Sequence, residues 1–396
     1  MRLSPKQKRY WNEANCRWNV KYGATRSGKT YLDYFVIPRR LLARKGRPGL
    51  AVLLGNTRGT LERNVLAPMR EIYGAQMVSP LRADGTATLF GQRVHCLGAD
   101  NKRHVDRLRG ASIKYCYGDE VVSWEREVFE MLKSRLDKEY SCFDGTCNPA
   151  GPGHWFKKFL DSDADIFSQQ YGIDDNPFLP ESVRAALKRE YTGVFYQRYI
   201  LGQWVAAEGA VYPMFARGRH VSANAPDTRF TWVGVDYGHT NPTAFVRLGL
   251  GEDGRVWALE EYYHASGETG AKSPRQYAAD LINFARGSAC VVIDPSAEGF
   301  ILQLHEDSPA LRLKKADNAV LEGVQLVSAA LDAGKLMFHP RCERLIAEME
   351  GYRWDERARE RGEDKPRKED DHAVDALRYG LMHYRRDVRR LCRQGT

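Results

Sequence analysis

The run Gly23-Ala24-Thr25-Arg26-Ser27-Gly28-Lys29-Thr30 fits the pattern GxxxxGK[ST] at every fixed position. It sits between an extended stretch and a helical one, where its backbone can curl until its N–H groups face phosphate oxygens. In that setting Lys29 reaches the β- and γ-phosphates of a nucleoside triphosphate and the Thr30 hydroxyl ligates Mg²⁺. Hydrolysis then needs carboxylates at the end of a neighbouring strand. Asp119-Glu120 follows the run Ile113 to Gly118 and can supply them. Asp119 suits the Mg²⁺ shell and Glu120 suits the polarising of an attacking water. Arg26 is a cation inside the loop, placed either to neutralise transition-state charge or to face solvent. Thr146-Cys147-Asn148-Pro149 lies just past the next strand, where a polar side chain can sense the γ-phosphate or simply end the strand in a turn.

A second set of groups lies in the other half of the chain. Asp236 ends the strand pattern TWVGVD, Asp294 ends ACVVID, and Asp371, His372 and Asp375 share the last helical pattern. Positions i, i+3 and i+4 share a helix face, so His372 with Asp375, or Asp371 with Asp375, can point at one site. Hard oxygen ligands of this kind suit Mg²⁺ or Mn²⁺ rather than zinc. Two such ions about 3.5–4 Å apart can activate a water and stabilise the leaving oxygen of a phosphodiester. Taken singly, an Asp after a strand starts a turn and Asp371 caps its helix. Glu260, Glu261 and Glu298 are weaker candidates for an added ligand, and the histidines outside this set form no metal-spaced pair.

These groups need a scaffold. Short apolar runs alternate with helical patterns, which predicts α/β architecture with largely parallel sheets. Strands are expected at 17–22, 50–55, 113–118 and 141–146, with helical patterns at 29–45, 60–73 and 125–136. Residues 205–228 break the rhythm with small residues, Gly, Pro and Asn, and read as a linker between two domains. Beyond it, strand patterns at 230–236, 243–249 and 255–263 precede a helix at 275–286 and a strand at 289–294. A helix at 318–333, a strand at 335–338 and a helix at 340–351 follow. The charge-dense stretch 353–371 reads as a mobile loop before a last helix at 371–386. Three consecutive strands and then alternating helices and strands match the order of a ribonuclease H-like fold.

The 396 residues suffice for about two or three domains with real cores. Hydrophobic residues make up 43% and charged residues 28%, the balance of a soluble globular protein. No stretch reaches the roughly 18 apolar residues of a membrane span, and the first residues lack the apolar run of a secretory leader. A membrane protein and a secreted disulfide scaffold are therefore not expected. Eight scattered cysteines without a CxxC pair read as reduced thiols of a cytosolic protein. Net charge is +9, and both ends are basic. Residues 1–50 hold 13 Lys or Arg against Glu13 and Asp33, and residues 378–396 hold six Arg against Asp387. Such ends fit a polyanion such as nucleic acid, or a solvated surface with a loose tail.

Taken in order, the motifs resemble the large subunit of phage DNA-packaging terminases over nearly the whole chain. The likeness includes SPKQ at 4–7, the phosphate loop, LRG at 108–110 before Asp119-Glu120, and TCNPAGPGHW at 146–155. It continues through YILGQWV at 199–205, EGAVYPMF at 208–215, VDYGHTNPTA at 235–244 and, most specifically, DHAVDALRY at 371–379. The resemblance implies a P-loop, RecA/ASCE-like ATPase domain over 1–204, a linker over 205–228, and a ribonuclease H-like endonuclease domain with a basic tail over 229–396. It implies ATP-driven translocation of double-stranded viral DNA into a procapsid and metal-dependent cutting of the concatemer. Gln7 would contact adenine, Gly23 through Thr30 would bind phosphates, and Thr146 and Asn148 would couple hydrolysis to movement. Asp236, Asp294 and Asp375 would carry the nuclease metals, with His372 and Asp371 assisting. ATP and Mg²⁺ (or Mn²⁺ at the nuclease site) are the implied cofactors. The implied partners are double-stranded DNA, a portal protein and a small terminase subunit, with a homo-oligomeric ring when docked and a monomer in solution. The host cytoplasm, transiently at the portal vertex, is the implied location. An ATP-dependent helicase or recombination nuclease built from the same modules is the alternative.

Overall fold

The computed structural model describes residues 2–100, 110–238, 242–265, 270 and 272–393. Leu108 and Arg109 of the LRG motif, and His239, Thr240 and Asn241 of VDYGHTNPTA, lie outside the described residues. The chain forms two compact units, one of Met1–Ala185 with Gly193–Ala206 and one of Ala186–Thr192 with Ala207–Thr396.

The first unit is built on β1 (Trp18–Gly23), β2 (Leu50–Gly55), β3 (Thr86–Leu89), β4 (Gln92–Gly98), β5 (Ile113–Gly118), β6 (Cys142–Cys147) and β7 (Ile166–Tyr171). Their order in the sheet is β3-β4-β2-β5-β6-β1-β7, all parallel except the β3/β4 hairpin. One strand, β6, therefore separates the strand that carries the glycine-rich loop from the strand that ends at Asp119. Both faces are covered, so β2 and β5 are buried almost throughout, as parallel strands are. Trp18, Val20, Phe129 and Phe143 pack on one face and Leu53, Val65, Met69 and Tyr115 on the other. Lys114 fits this interior because its ammonium donates to the carbonyls of Arg44 and Arg47 and to Gln92 Oε1. Helix α1 (Pro5–Glu13) starts on a capping box between Ser4 and Gln7, and α2 (Lys29–Ala43) follows the loop directly. The expected helix at 60–73 is interrupted by a π-helical turn, Glu62–Leu66.

The second unit has β8 (Thr228–Asp236), β9 (Thr243–Gly251), β10 (Val256–His264), β11 (Val291–Ile293), β12 (Leu313–Lys315) and β13 (Leu336–Phe338) in the order β12-β11-β8-β9-β10-β13. β8, β9 and β10 form an antiparallel meander, and β11 runs parallel to β8. The helix His372–His383 lies against this sheet at very close range. A Cβ at Gly234 would stand 2.0 Å from the Ala376 carbonyl oxygen, so only glycine admits the helix there. The Trp232 indole N–H donates to the Gly380 carbonyl at 3.0 Å and fixes the depth of docking.

Two expectations need correction. Residues 205–228 are not a free tether, because Val211, Tyr212 and His220 are buried in the second unit. Val211 N–H donates to the Tyr352 carbonyl, Ala210 bridges Arg353, and Val221 bridges Phe338. Gly and Pro make turns here, while the apolar side chains between them find a core. The stretch 353–371 likewise holds a helix, Glu356–Glu360, capped by Asp355, and Trp354 bridges Pro366.

Candidate functional site

The glycine-rich loop is pinned at its start. Gly23 has φ 142°, and a Cβ there would meet the Tyr171 carbonyl oxygen at 1.9 Å. Ala24 N–H donates to that same carbonyl at 2.7 Å, and Thr25 N–H donates to the Tyr199 carbonyl at 2.9 Å. Ser27 Oγ donates to the Ala24 carbonyl. Gly28, in the left-handed region, passes the chain into α2, whose first N–H groups lack helical acceptors and are free for an anion. Thr30 is the second residue of that helix. Gln7 sits beneath this corner: its amide donates to the Gly28 carbonyl at 2.9 Å and its Oε1 accepts from Ser4 N–H at 2.8 Å. Its contacts thus hold the loop in place and leave one amide hydrogen over.

Lys29 is buried, and its ammonium donates to the carbonyls of Gly23 (2.9 Å) and Ala24 (2.6 Å) and to Asn148 Oδ1 (3.2 Å). Burial lowers its pKa, against the opposing pull of Glu120 and Asp119. Asp119 is buried, and its Oδ1 accepts from the Thr146 hydroxyl at 3.2 Å and from the Tyr117 hydroxyl at 3.5 Å. Burial raises its pKa, while Thr146, Asn64 and Tyr117 donate hydrogen bonds that restrain the rise. Glu120 has φ 51°, a left-handed conformation that costs a non-glycine residue about 1–3 kcal/mol and clusters at functional positions. Burial and then the charge of Asp119 push its carboxyl pKa up, against the opposing pull of Lys29 and the Asn148 backbone. Thr146 and Asn148 thus tie Asp119 and Lys29 to one strand end. Arg26 is exposed, and its carbonyl accepts from Asn176 Nδ2 at 2.7 Å.

In the second unit, Asp236 and His372 meet directly, Nδ1 to Oδ2 at 2.9 Å. Burial raises the Asp236 pKa and His372 opposes it, with Asp375 and Asp371 adding to the rise. Burial pulls His372 down, but its bond to Asp236 and the charges of Asp236 and Asp371 leave it raised. Asp371 and Asp375 are both buried, and the Lys368 ammonium lies 3.0 Å from Asp371 Oδ2 and 2.9 Å from Asp375 Oδ2. Arg378 holds the other Asp375 oxygen with its Nε (3.1 Å) and Nη2 (2.9 Å). Asp294 stands slightly apart, its oxygens taken by Ser296 N–H (2.7 Å), Asn318 Nδ2 (3.0 Å) and the Tyr379 hydroxyl (2.9 Å). Burial alone would raise the Asp294 pKa, but these donors outweigh it and leave it lowered.

So Asp236, Asp371, His372 and Asp375 come together, and among the described residues the Tyr379 hydroxyl links Asp294 to the helix that carries His372 and Asp375. Among the described residues no three metal-binding side chains converge on one point. Unscreened carboxylates repel, and these turn to cations or donors: Asp236 to His372, Asp294 to Tyr379, and Asp371 and Asp375 to the shared Lys368. The donor chemistry still suits a hard divalent ion: Asp371 Oδ2 is buried without an aligned hydrogen bond, and an ammonium already bridges it to Asp375. The weaker candidates point elsewhere. Glu260 pairs with Arg247, Glu261 accepts the N–H groups of Arg344 and Leu345, and Glu298 opens a helix.

Two family models match the chain. The terminase large subunit, T4likevirus-type, N-terminal family matches residues 21–219, and the terminase RNaseH-like domain family matches residues 233–384. The chain belongs to the large terminase family. The large terminase subunit of Escherichia phage T5 is 27% identical over 271 residues, which span 63% of this chain and 60% of the T5 protein. The large terminase of a thermophilic bacteriophage is 31% identical, with a TM-score of 0.86 over 97% of this chain and 99% of that one. The same thermophilic phage protein in complex with ADP superposes with a TM-score of 0.84 over 96% and 99%. The fold is thus a terminase ATPase unit followed by a ribonuclease H-like unit.

Several terminase residues at these sites escaped sequence reasoning. Arg378 and Tyr379 close the DHAVDALRY motif, so their position was visible although their roles as donors to Asp375 and Asp294 were not. Lys368, Asn318, Asn64 and Tyr117 carried no local signal. Asn318 and Asn64 reach their carboxylates through tertiary packing, whereas Tyr117 and Lys368 stand two and three residues from Asp119 and Asp371.

Proposed function

We infer that this large terminase hydrolyses ATP to drive double-stranded viral DNA into a procapsid and cuts that DNA at a second, metal-dependent centre. The observation that carries the reading is the presence of two unlike constellations in separately packed units. One joins Lys29, Asp119 and Glu120 through Thr146 and Asn148; the other joins Asp236 and His372 with the paired Asp371 and Asp375. In the first, the loop amides from Gly23 to Thr30 cradle phosphates and Lys29 exchanges its carbonyl contacts for phosphate oxygens. Thr30 and Asp119 would hold the nucleotide's ion, Glu120 takes a proton from the attacking water, and Arg26 faces outward where it can add positive charge. In the second, Asp236, Asp294, Asp371 and Asp375 would hold the ion or ions, while His372 is kept oriented by Asp236. A divalent ion at either centre supplies stabilisation of developing negative charge on phosphate oxygens.

ATP with Mg²⁺, or Mn²⁺ at the nuclease centre, is the cofactor set this reading requires. Its partners are double-stranded DNA, the portal protein, the small terminase subunit and further copies of the chain in a ring at the portal vertex within the host cytoplasm. No helix among the described residues is long and apolar enough to cross a membrane. No observation favours the helicase or recombination-nuclease alternative. The test is a crossed pair of variants. Lys29→Ala should abolish ATP turnover and retain Mn²⁺-dependent plasmid nicking, and Asp294→Asn should do the reverse. Unchanged ATP turnover in Lys29→Ala, or wild-type nicking in EDTA, would overturn the reading.

A further inference from the structure

Lys368 belongs to the charged stretch ahead of the last long helix, and its contacts are unlike those of an ordinary surface lysine. Its side chain is 66% exposed, whereas the two carboxylates it touches are each 6% exposed. The ammonium lies 3.0 Å from Asp371 Oδ2 and 2.9 Å from Asp375 Oδ2, an almost symmetric bridge. Asp371 and Asp375 stand four residues apart on one helix face, so without a shared cation they repel. Arg378 satisfies only the other oxygen of Asp375, and Asp371 Oδ2 is buried with no aligned hydrogen bond. Asp236 and His372 close the same cluster. A positive charge is therefore required between these two oxygens, and the one present is carried on a long, largely exposed side chain that can leave when another cation takes its place.

We propose that Lys368 is the resident counter-cation of the nuclease centre: its ammonium occupies the place between Asp371 and Asp375 that a divalent ion takes, and the ion enters by displacing it. The proposal rests on the nuclease reading of this centre and adds its regulation. The acidic helix stays packed when no ion is bound, and metal affinity is set by competition with a tethered lysine. Any event that draws Lys368 outward, such as a phosphate of the DNA strand taking its ammonium, raises the affinity for the ion.

The experiment is a Mn²⁺ titration by electron paramagnetic resonance on full-length protein stripped with EDTA, without nucleotide. The proteins are wild type, Lys368→Met, Lys368→Gln and Asp236→Asn. Lys368→Met and Lys368→Gln should bind Mn²⁺ tighter by about fivefold, the size of one weak ion pair released from competition. Unchanged or weaker Mn²⁺ binding in both lysine variants, with wild type binding and Asp236→Asn not, overturns the role of Lys368 and leaves the nuclease centre intact. No Mn²⁺ binding by wild type, or equal binding by Asp236→Asn, overturns the nuclease reading itself and this proposal with it.

Discussion

Tyr379 shows how much a single oxygen decides in the acidic centre. Its hydroxyl donates to Asp294 Oδ2 at 2.9 Å, and with Ser296 and Asn318 it keeps that carboxylate ionised and aimed. Tyr379→Phe removes only that donor. A hydrogen bond to a charged group contributes about 1.5–3 kcal/mol, so Mn²⁺-dependent nicking should fall by tenfold or more while ATP turnover stays at the wild-type rate. Glu348 gives a pH prediction. Burial raises its carboxyl from the ordinary 4.5 to about 7, while the backbone N–H of Val374 at 2.9 Å restrains the rise. The folded protein therefore binds this proton more tightly than the unfolded chain. The stabilising contribution is complete below about 4.5 and lost as pH rises through about 7. Glu348→Gln, followed by thermal melting between those limits, should flatten the pH dependence of the second unit. The phosphate loop, Asp119-Glu120 and the five acidic-centre residues were legible because each stands in a local motif. Tyr379 and Glu348 were not, since distant chain segments choose their partners, and Lys368, three residues from Asp371, belongs to no motif.

At the scale of elements, close approach explains what the pattern of apolar residues could and could not reveal. β2 and β5 match expectation to the residue, because strands buried on both faces read as short apolar runs. The β3/β4 hairpin and β7 were missed, since their polar residues break any run, as IFSQQY does in β7. The π-helical turn at Glu62–Leu66 also left no trace in the sequence, yet it brings Asn64 to Asp119. Gly234→Ala should drive a methyl group into the Ala376 carbonyl, prise the last long helix from β8 and destabilise the second unit by about 1–3 kcal/mol. Nicking should be lost and nucleotide binding kept. In the first unit, Lys21 on β1 and Asp33 on α2 form a fully buried ion pair at 2.7 Å, with Tyr117 joining Asp33 to Asp119. Lys21→Met leaves the buried Asp33 without its cation, a loss of about 3–5 kcal/mol. Adding Asp33→Asn should restore part of the melting temperature, and a double variant no more stable than Lys21→Met would refute the pairing argument.

For the whole molecule, basicity and the two-unit plan carry different weight. Much of the positive charge expected to meet DNA is spent internally: Lys6 pairs with Asp175, Arg40 with Asp144, Arg385 with Asp317 and Arg389 with Glu322. DNA affinity should therefore come from phosphate contacts of the remaining cations, insensitive to sequence and falling linearly in log K against log salt, which fluorescence anisotropy on duplexes of unrelated sequence would check. The order of the domains was legible from their motifs, but the stretch between them was misread because its glycines and prolines hide buried Val211 and Tyr212. The central claim is that one polypeptide holds two divalent-ion centres, one for nucleotide and one for DNA. An anomalous difference map from crystals grown with Mn²⁺ and a non-hydrolysable ATP analogue tests it most directly. The account predicts one set of peaks beside Thr30 and Asp119 and another among Asp236, Asp294, Asp371 and Asp375, with the Lys368 ammonium moved away. A map with peaks at the nucleotide alone, and Lys368 still seated between its two carboxylates, would contradict it.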